Sequence, residues 1–250
     1  MSILRTEALT KSFGALAAVD GVSLAVEAGS LHSVIGPNGA GKTTLFNLLT
    51  GQFPPTSGRI LFDGRDVTGT PPHGIAHLGI ARSFQRTNVF PALTLLDNVW
   101  VAAFARHPSW RGLVWRRADR FPGLAARARA ALVEVGLGGQ ADRPAREISH
   151  GEQRQLELAI ALAATPKLLL LDEPAAGLSA EETRRMVALV RTLKGRFTIV
   201  LIEHKIDLIM SISDRISVMH FGRVIAEGSP AEIQRNPDVR RAYLGGVAAP

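Results

Sequence analysis

Apolar residues near the start of the chain follow first a strand spacing and then a helix spacing. Leu31 to Ile35 is a short apolar run, typical of a buried strand, and it leads directly into Gly36. Beyond a glycine-rich stretch, apolar residues recur at i, i+3 and i+4, which predicts a helix with one buried face; they are Leu45, Leu48 and Leu49. The first 30 residues predict short strands with turns, and residues 59–62 predict another strand.

The second half of the chain repeats this order of strand and helix. Leu168 to Leu171 and Thr198 to Ile202 are apolar runs of strand length. Between them, a helix that opens with a capping box at Ser179 and Glu182 has one apolar face, formed by Met186, Leu189, Val190 and Leu193. A hairpin is predicted around Phe221 and Gly222. Alternating strands and helices predict a parallel α/β sheet.

The segment from about Leu93 to Leu137 has a different character. It is helical in pattern, rich in arginine and alanine, and contains all three tryptophans. Three glycines and a proline mark its end: Gly136, Gly138, Gly139 and Pro144. We interpret the segment as a helical lobe inserted into the α/β core.

The composition restricts the classes of protein to which the chain can belong. Apolar residues make up 46% of the 250, which is enough for a large core, and the absence of cysteine excludes disulfides and thiolate metal sites. The N-terminus lacks the apolar stretch of a signal peptide, and the chain has no run of 18 uninterrupted apolar residues. We therefore expect a protein that does not span a membrane.

The net charge of +7 is concentrated in the lobe. Between residues 101 and 130 one acid, Asp119, faces seven arginines, namely Arg106, Arg111, Arg116, Arg117, Arg120, Arg127 and Arg129. A local basic patch indicates a local contact surface, whereas the rest of the chain is close to neutral.

The glycine-rich stretch satisfies the pattern G-x-x-x-x-G-K-[ST] between a strand and a helix, and it reads Gly36, Pro37, Asn38, Gly39, Ala40, Gly41, Lys42, Thr43 and Thr44. Its glycines let backbone N–H groups converge on phosphate oxygens, and the helix N-terminus adds a favourable dipole. Lys42 is expected to reach the β- and γ-phosphates, and the Thr43 hydroxyl to ligate Mg²⁺. The stretch predicts a protein that binds and hydrolyses ATP.

Two adjacent acids, Asp172 and Glu173, end the apolar run that begins at Leu168. We expect this strand to lie beside the strand that precedes the phosphate loop, which brings both carboxylates to the edge where ligands bind. Asp172 then completes the Mg²⁺ shell, and Glu173 polarises the attacking water as a general base. Acids that merely solvate the end of a strand are the alternative.

Ser149, Gly151 and Glu152 precede an apolar-faced helix. A small hydroxyl, a glycine and a helix N-terminus make a second anion site without a lysine. Ser149 followed by Glu152 is also an ordinary capping box, and the pattern alone favours that reading.

Taken together, these residues resemble the nucleotide-binding subunits of ABC transporters over nearly the whole chain. The resemblance implies a P-loop NTPase (RecA-like) parallel-sheet core, with an N-terminal antiparallel β subdomain and an inserted α-helical lobe. It implies that Gln85 touches Mg²⁺ and the attacking water, that His204 contacts the γ-phosphate, and that Phe13 stacks on adenine. It divides the chain into a core at about 1–92 and 155–235, a lobe at about 93–154 and a tail at 236–250.

Residues 148–152 resemble the signature motif of that family, usually Leu-Ser-Gly-Gly-Gln, with Ile148, His150 and Glu152 as departures. An imidazole at His150 near a phosphate would add a pH-dependent contact. Ser179 stands where the family's D-loop usually has aspartate, so that helix capping is kept and signalling by a carboxylate is placed in doubt. In this family the phosphate loop and the signature motif of different subunits grip one ATP, which implies a head-to-tail dimer.

Residues 79–85, 93–99 and 228–245 are similar to the ATP-binding subunits of branched-chain amino acid importers. That resemblance implies integral-membrane permease partners, a second ATPase or a second copy, and an indirect link to a substrate-binding protein. It implies a peripheral position on the cytoplasmic face of the membrane and no nucleic-acid partner. A lipid- or lipopolysaccharide-exporting ATPase and a soluble ABC-type ATPase acting on nucleic acid are the alternatives.

Overall fold

The computed structural model describes residues 1–83, 89–105 and 121–244. The strands formed by these residues are β1 Ser2–Phe13, β2 Leu16–Glu27, β3 Leu31–Ile35, β4 Ser57–Phe62, β5 Arg65–Asp66, β6 Ile80–Arg82, β7 Leu168–Asp172, β8 Thr198–Ile202, β9 Arg215–His220 and β10 Arg223–Gly228. The helices are α1 Lys42–Leu49, α2 Pro72–Leu78, α3 Leu95–Ala105, α4 Pro122–Glu134, α5 His150–Ala163, α6 Ala180–Leu193, α7 Ile206–Ile212, α8 Pro230–Arg235 and α9 Pro237–Leu244.

A six-stranded sheet with the order β10-β9-β3-β8-β7-β6 forms the centre of the molecule. Its inner strands run parallel, and β10 alone pairs antiparallel, with β9. The predicted parallel α/β sheet is confirmed, and so is the hairpin, which turns at Phe221 and Gly222.

One part of the predicted topology is wrong, because β7 does not lie beside β3. Strand β8 pairs with both of them and separates them. All five residues of each of these three strands are buried. Their patterns are therefore alike, and burial on both faces carries no information about which strand is next to which.

A second, antiparallel sheet of four strands has the order β2-β1-β4-β5. Strands β1 and β2 each span 12 residues, so the short strands predicted for the first 30 residues are wrong. Register shifts interrupt their pairing at several positions. Such bulges bend a long strand and break its period-2 pattern, which makes it resemble several short strands.

The two faces of the central sheet belong to different cores. Val34 and alternate residues of the neighbouring strands pack with α1 and the antiparallel sheet. Leu31, Ile35 and the intervening residues of the other strands pack with helices on the opposite face, among them α3, α4 and α5. No helix within the described ranges is both long enough and apolar enough to cross a lipid bilayer.

The aromatic residues of the helical region pack internally where the structure describes them. The rings of Trp100 and Phe104 stack with centroids 4.9 Å apart, and Phe121 contacts both rings. All three pack against the core cluster. Trp110, Trp115 and the arginines between residues 106 and 120 lie outside the described residues.

Candidate nucleotide site

The phosphate loop joins β3 to α1 in a conformation that its glycines make possible. Gly41 has φ +99° and is the N-cap of α1, with no side-chain cap. A Cβ at Gly41 would lie 2.2 Å from the carbonyl oxygen of Ala18, and one at Gly36 would lie 2.2 Å from that of Met219. The backbone therefore passes too close to its neighbours for any larger residue at either end of the loop.

Lys42 folds back over the loop. Its Nζ donates hydrogen bonds to the carbonyl oxygens of Gly36 at 2.7 Å and Pro37 at 3.0 Å. Burial lowers the pKa of Lys42, while the carboxylates of Glu173 and Asp172 act in the opposite direction. A partly desolvated ammonium that holds only backbone carbonyls is free to exchange them for phosphate oxygens, which satisfy its charge better.

A cavity of about 630 Å³ opens over the loop. It is lined by residues 38–44, by Glu173 and His204, and by the aromatic rings of Phe13 and Phe221. Phe13 is half exposed and rests edge-on against Phe53, with ring centroids 5.5 Å apart. The cavity is large enough for a nucleotide, and an exposed aromatic face is available for a base.

The structure brings Glu173 and His204 into direct contact. His204 Nε2 and Glu173 Oε1 are 2.6 Å apart. The Glu173 backbone has φ +51°, a left-handed conformation that is uncommon in a residue with a side chain, and its N–H donates to the Ile202 carbonyl at 2.9 Å. The carboxylate is therefore aimed from a fixed, strained backbone into the cavity over the loop.

Asp172 is held by an arginine that the sequence patterns did not single out. Arg82 donates from Nη2 to Asp172 Oδ2 at 2.7 Å and from Nη1 to Asn47 Oδ1 at 2.6 Å. Both partners of the ion pair are buried. The other carboxylate oxygen, Asp172 Oδ1, is buried without a hydrogen-bond partner among the described residues.

This arrangement fits Mg²⁺. The orphaned Asp172 Oδ1 offers the hard anionic oxygen that the ion prefers. Thr43 lines the cavity over the loop, as does Glu173, the residue after Asp172. Within the described ranges, no group of three or more His, Asp and Glu side chains is placed to hold a metal. Mg²⁺ is commonly bound by one or two protein oxygens together with water and substrate phosphates.

Glu203, buried beside His204, ties the two strand ends together. Its carboxylate accepts hydrogen bonds from the backbone N–H of Ala175 at 2.8 Å and of His204 at 3.0 Å. These bonds connect the segment after Glu173 to the segment that carries His204. The sequence contains no signal for the role of Glu203, because the Ala175 N–H is 28 residues away along the chain and only the fold brings it near.

The second predicted phosphate contact lies at the start of α5, in a different cavity. Ser149, Gly151 and Glu152 line a space of about 200 Å³, whereas Lys42 lines the larger one. The capping box is present: the Ser149 N–H donates to Glu152 Oε2 at 2.7 Å, and the Glu152 N–H to the Ser149 hydroxyl at 3.3 Å. Hydrogen bonds from Ser149 and from Gln140 lower the pKa of Glu152.

His150 points away from this small cavity and towards the segment after Glu173. Its Nε2 lies 3.4 Å from the carbonyl oxygen of Ala176. At Gly151, a Cβ would lie 2.3 Å from Glu182 Oε1, so the start of α6 packs directly on this glycine. Gln85 lies outside the described residues, and its predicted role stays a prediction.

Comparisons with known proteins agree with this geometry. Residues 19–176 match the family model "ABC transporter", and residues 223–249 match "Branched-chain amino acid ATP-binding cassette transporter". The chain is 44% identical over 254 residues to the high-affinity branched-chain amino acid transport ATP-binding protein BraF of Pseudomonas aeruginosa, covering 97% of this chain and 98% of BraF.

Solved structures of similar fold include the ADP conformation of MJ1267, an ATP-binding cassette of an ABC transporter. It has a TM-score of 0.87 and 33% identity, with 98% of this chain and 99% of that one covered. The ATP-binding cassette MJ0796, in a dimeric post-hydrolysis state bound to ADP and Pi, has a TM-score of 0.77 and 25% identity. The match covers 91% of this chain and 98% of the MJ0796 chain.

Proposed function

Since the chain belongs to the ABC transporter family and has its ATPase fold, we propose that it powers the import of branched-chain or closely related amino acids. The ATPase activity is supported most directly by one cavity, which is lined by the phosphate loop, Glu173 and His204. Similarity to BraF over almost the full length of both chains supports the class of substrate.

ATP would bind along the cavity over the loop. Phe13 stacks on the adenine, the loop N–H groups and Lys42 hold the phosphates, and Thr43 and Asp172 hold Mg²⁺. When bound, Mg²⁺ would neutralise the charge that develops on the transferred phosphoryl group. Gln85 would add a contact to the ion and to the attacking water.

Glu173 is the general base in this proposal. Its carboxylate takes a proton from the attacking water as the water oxygen bonds to the γ-phosphorus in line, and the bond from that phosphorus to the β–γ bridging oxygen breaks, so that ADP leaves. His204 orients the carboxylate through the 2.6 Å contact and turns to the γ-phosphate when ATP is bound. The fixed backbone of Glu173 means that little reorganisation is needed at the moment of reaction.

The active form is a head-to-tail dimer in this proposal, formed with a second copy or with a similar ATPase. Within one chain, Lys42 and Ser149 line separate cavities, so that the two phosphate-binding segments do not share a site. The dimeric state of the MJ0796 cassette supports a dimer as the active form. Ser149 and Gly151 of one subunit would then complete the site of the other.

A groove between the core and the helical lobe (about residues 93–154) would receive a cytoplasmic loop of a membrane permease. It has a volume of about 460 Å³ and lies between α2, β6, α3 and α5. Alanines and isoleucines supply much of its lining, and Arg82 is also part of it. Because Arg82 pairs with Asp172, movement in the groove would reach the metal site through one side chain.

Reconstitution tests the proposal. The chain is assembled in proteoliposomes with the permease subunits and second ATPase encoded beside it, and uptake of radiolabelled leucine is measured with a substrate-binding protein outside and MgATP inside. We expect uptake with the wild-type chain and a loss of at least tenfold with Glu173→Gln. ATPase activity that responds to nucleic acid or lipid, with no uptake of amino acids, would contradict the proposal.

A further inference from the structure

The turn between β9 and β10 has a phenylalanine at a position where its backbone is strained. His220 pairs with Arg223 across the hairpin, so the loop consists of two residues, Phe221 with φ +45° and Gly222 with φ +79°. Positive φ at both residues is the mark of a type I′ turn, whose first position favours asparagine, aspartate or glycine. The turn itself does not require a phenylalanine, and a large ring at a strained position indicates a role for that ring.

This turn is fixed between β2 and the phosphate loop. The Gly222 N–H donates to the carbonyl oxygen of Ala40 at 3.1 Å, and the Asp20 N–H donates to the carbonyl oxygen of Gly222 at 2.9 Å. The Arg223 guanidinium pairs with the Asp20 carboxylate at 2.7 Å. The two residues that follow Phe221 therefore fix its backbone relative to the loop.

The Phe221 side chain lines the 630 Å³ cavity over the loop and is 79% exposed. The ring of His220 packs against the Phe221 ring, with centroids 4.2 Å apart. Two further exposed apolar side chains, those of Phe13 and Leu16, line the same cavity. Exposed apolar surface at three places in one cavity favours a ligand with an apolar face, because binding removes that surface from water.

A nucleotide matches the two kinds of side chain that line this cavity. Its charged or hydroxyl-bearing side chains, among them Lys42, Thr43 and Glu173, suit the phosphates and their metal ion. Its large apolar side chains suit a flat aromatic base, which every ring can contact through its face. With the phosphates held by the loop, the apolar side chains are left for the base.

We propose that Phe221 is a second aromatic contact for the base of ATP, in addition to Phe13. The role of Phe221 rests on the proposed function, in which the phosphate loop holds the phosphates and Phe13 stacks on the adenine. A base has two faces and an edge, so that one ring leaves much of its surface in water. A second ring held by a fixed turn covers more of that surface at little cost in side-chain ordering.

The test is Phe221→Asn, which removes the ring and gives the type I′ turn a residue that it favours. Calorimetric titration, with Mg²⁺ present, measures the affinities for a non-hydrolysable ATP analogue and for inorganic tripolyphosphate. We expect the ATP analogue to bind about tenfold more weakly, whereas tripolyphosphate, which has no base, should bind within twofold of the wild type. Because asparagine tolerates the positive φ, Tm should be no lower than that of the wild type.

Phe90→Asn is the matched control. Phe90 is also an exposed phenylalanine, it lies outside the cavity lining that the described residues form, and its hydrogen bonds with Asn98 are made by its backbone. The control should bind both ligands like the wild type. Equal weakening of the ATP analogue in the two variants would overturn the inference. So would an equal loss of tripolyphosphate and ATP analogue in Phe221→Asn, because the ring would then act on the loop and not on the base.

Phe221→Trp tests the contact directly. This variant should bind the ATP analogue within twofold of the wild type, because an indole also presents an aromatic face. The fluorescence that it adds to that of the three native tryptophans should be quenched by the ATP analogue and not by tripolyphosphate. Added fluorescence that does not change when the ATP analogue binds would overturn the inference.

The role of Phe221 depends on ATP binding over the loop and not on the transported solute. If the wild-type chain bound no nucleotide, the proposed function would fail and this inference with it. If the wild type bound the ATP analogue and Phe221→Asn bound it equally well, only this inference would fail.

Discussion

Two helix N-termini in this molecule are proposed to meet phosphate, and they are built in opposite ways. Helix α1 begins at Lys42 after the left-handed Gly41, without a side-chain cap and without an acid in its first turn. Helix α5 begins at His150 after Ser149, with a complete capping box and the acid Glu152 in its first turn. The first start is open to an anion, whereas the second already holds a carboxylate.

The difference indicates which of the two holds phosphate unaided. At α1, free N–H groups, the helix dipole and a lysine all favour an anion. At α5, the Glu152 carboxylate already interacts with the helix N-terminus, and the Glu182 carboxylate packs on Gly151. The Ser149 hydroxyl can still donate, but the anion must arrive with compensating charge. This fits the proposed role of the second site, which is to clamp a nucleotide that another subunit already holds.

The largest expected effect belongs to Glu173→Gln, which leaves both helix starts intact. We expect turnover to fall about 10²- to 10⁴-fold, because the base is lost, while the affinity for ATP stays the same. ATPase assays and light scattering should show slow hydrolysis and an accumulation of closed dimers. The control is Glu181→Gln, an exposed acid paired with Arg185. Near-normal turnover of Glu173→Gln would refute its role as base.

Lys42→Met tests the open helix start. We expect ATP binding to weaken about 10- to 100-fold, because a charge-assisted contact to phosphate is lost. Calorimetric titration measures the affinity. Lys194→Met is the matched control, since it removes a lysine that pairs with Asp214 at 2.7 Å, away from the cavity. If Lys42→Met bound ATP as tightly as Lys194→Met and the wild type do, α1 would not be the anion site.

Ser149→Ala tests the capped helix start against another cap of the same design. Ser229 heads a complete capping box with Glu232, as Ser149 does with Glu152. Each alanine substitution should lower the free energy of unfolding, measured with denaturant, by about 1 kcal/mol. Only Ser149→Ala should also weaken ATP-driven dimerisation, about tenfold, when measured in a Glu173→Gln background. Equal dimerisation by the two variants would reduce Ser149 to a simple cap.

The smallest expected effect concerns the carboxylate at the capped start. The lowered pKa of Glu152 means that its ionised form is favoured by the fold. This stabilisation is present above the ordinary pKa of glutamate and is lost as pH falls through the lowered value. At pH 7, Glu152→Gln should melt about 1 °C below the wild type, and the gap should close towards pH 3. A difference in melting temperature that persists at pH 3 would mean that the charge of Glu152 is not its cause.

Local features of the site were predictable from the sequence, because their partners lie within a few residues. The phosphate loop and the capping box at Ser149 need only residues that are adjacent along the chain. The order of β3, β8 and β7 was not predictable, because three uniformly buried strands have the same pattern. The family resemblance supplied His204, and the structure supplied the contact with Glu173.

Residues that act across the fold left no signal in the sequence. Arg82 reaches Asp172 over a separation of 90 residues. The sequence indicates Phe221 only as part of a turn, yet it lines the nucleotide cavity. A long side chain on a polar background looks the same in the sequence whether its partner is water or a distant carboxylate.

The left-handed backbone at Glu173 has an evolutionary consequence. A side chain there costs the fold on the order of 1 kcal/mol that glycine would not. Selection for folding alone would therefore replace this acid, and under the proposed role of Glu173 it is selection for turnover that retains it. A gene copy that is no longer selected for transport should drift towards glycine or asparagine at this position. The residue at position 173 would then indicate whether a descendant still hydrolyses ATP.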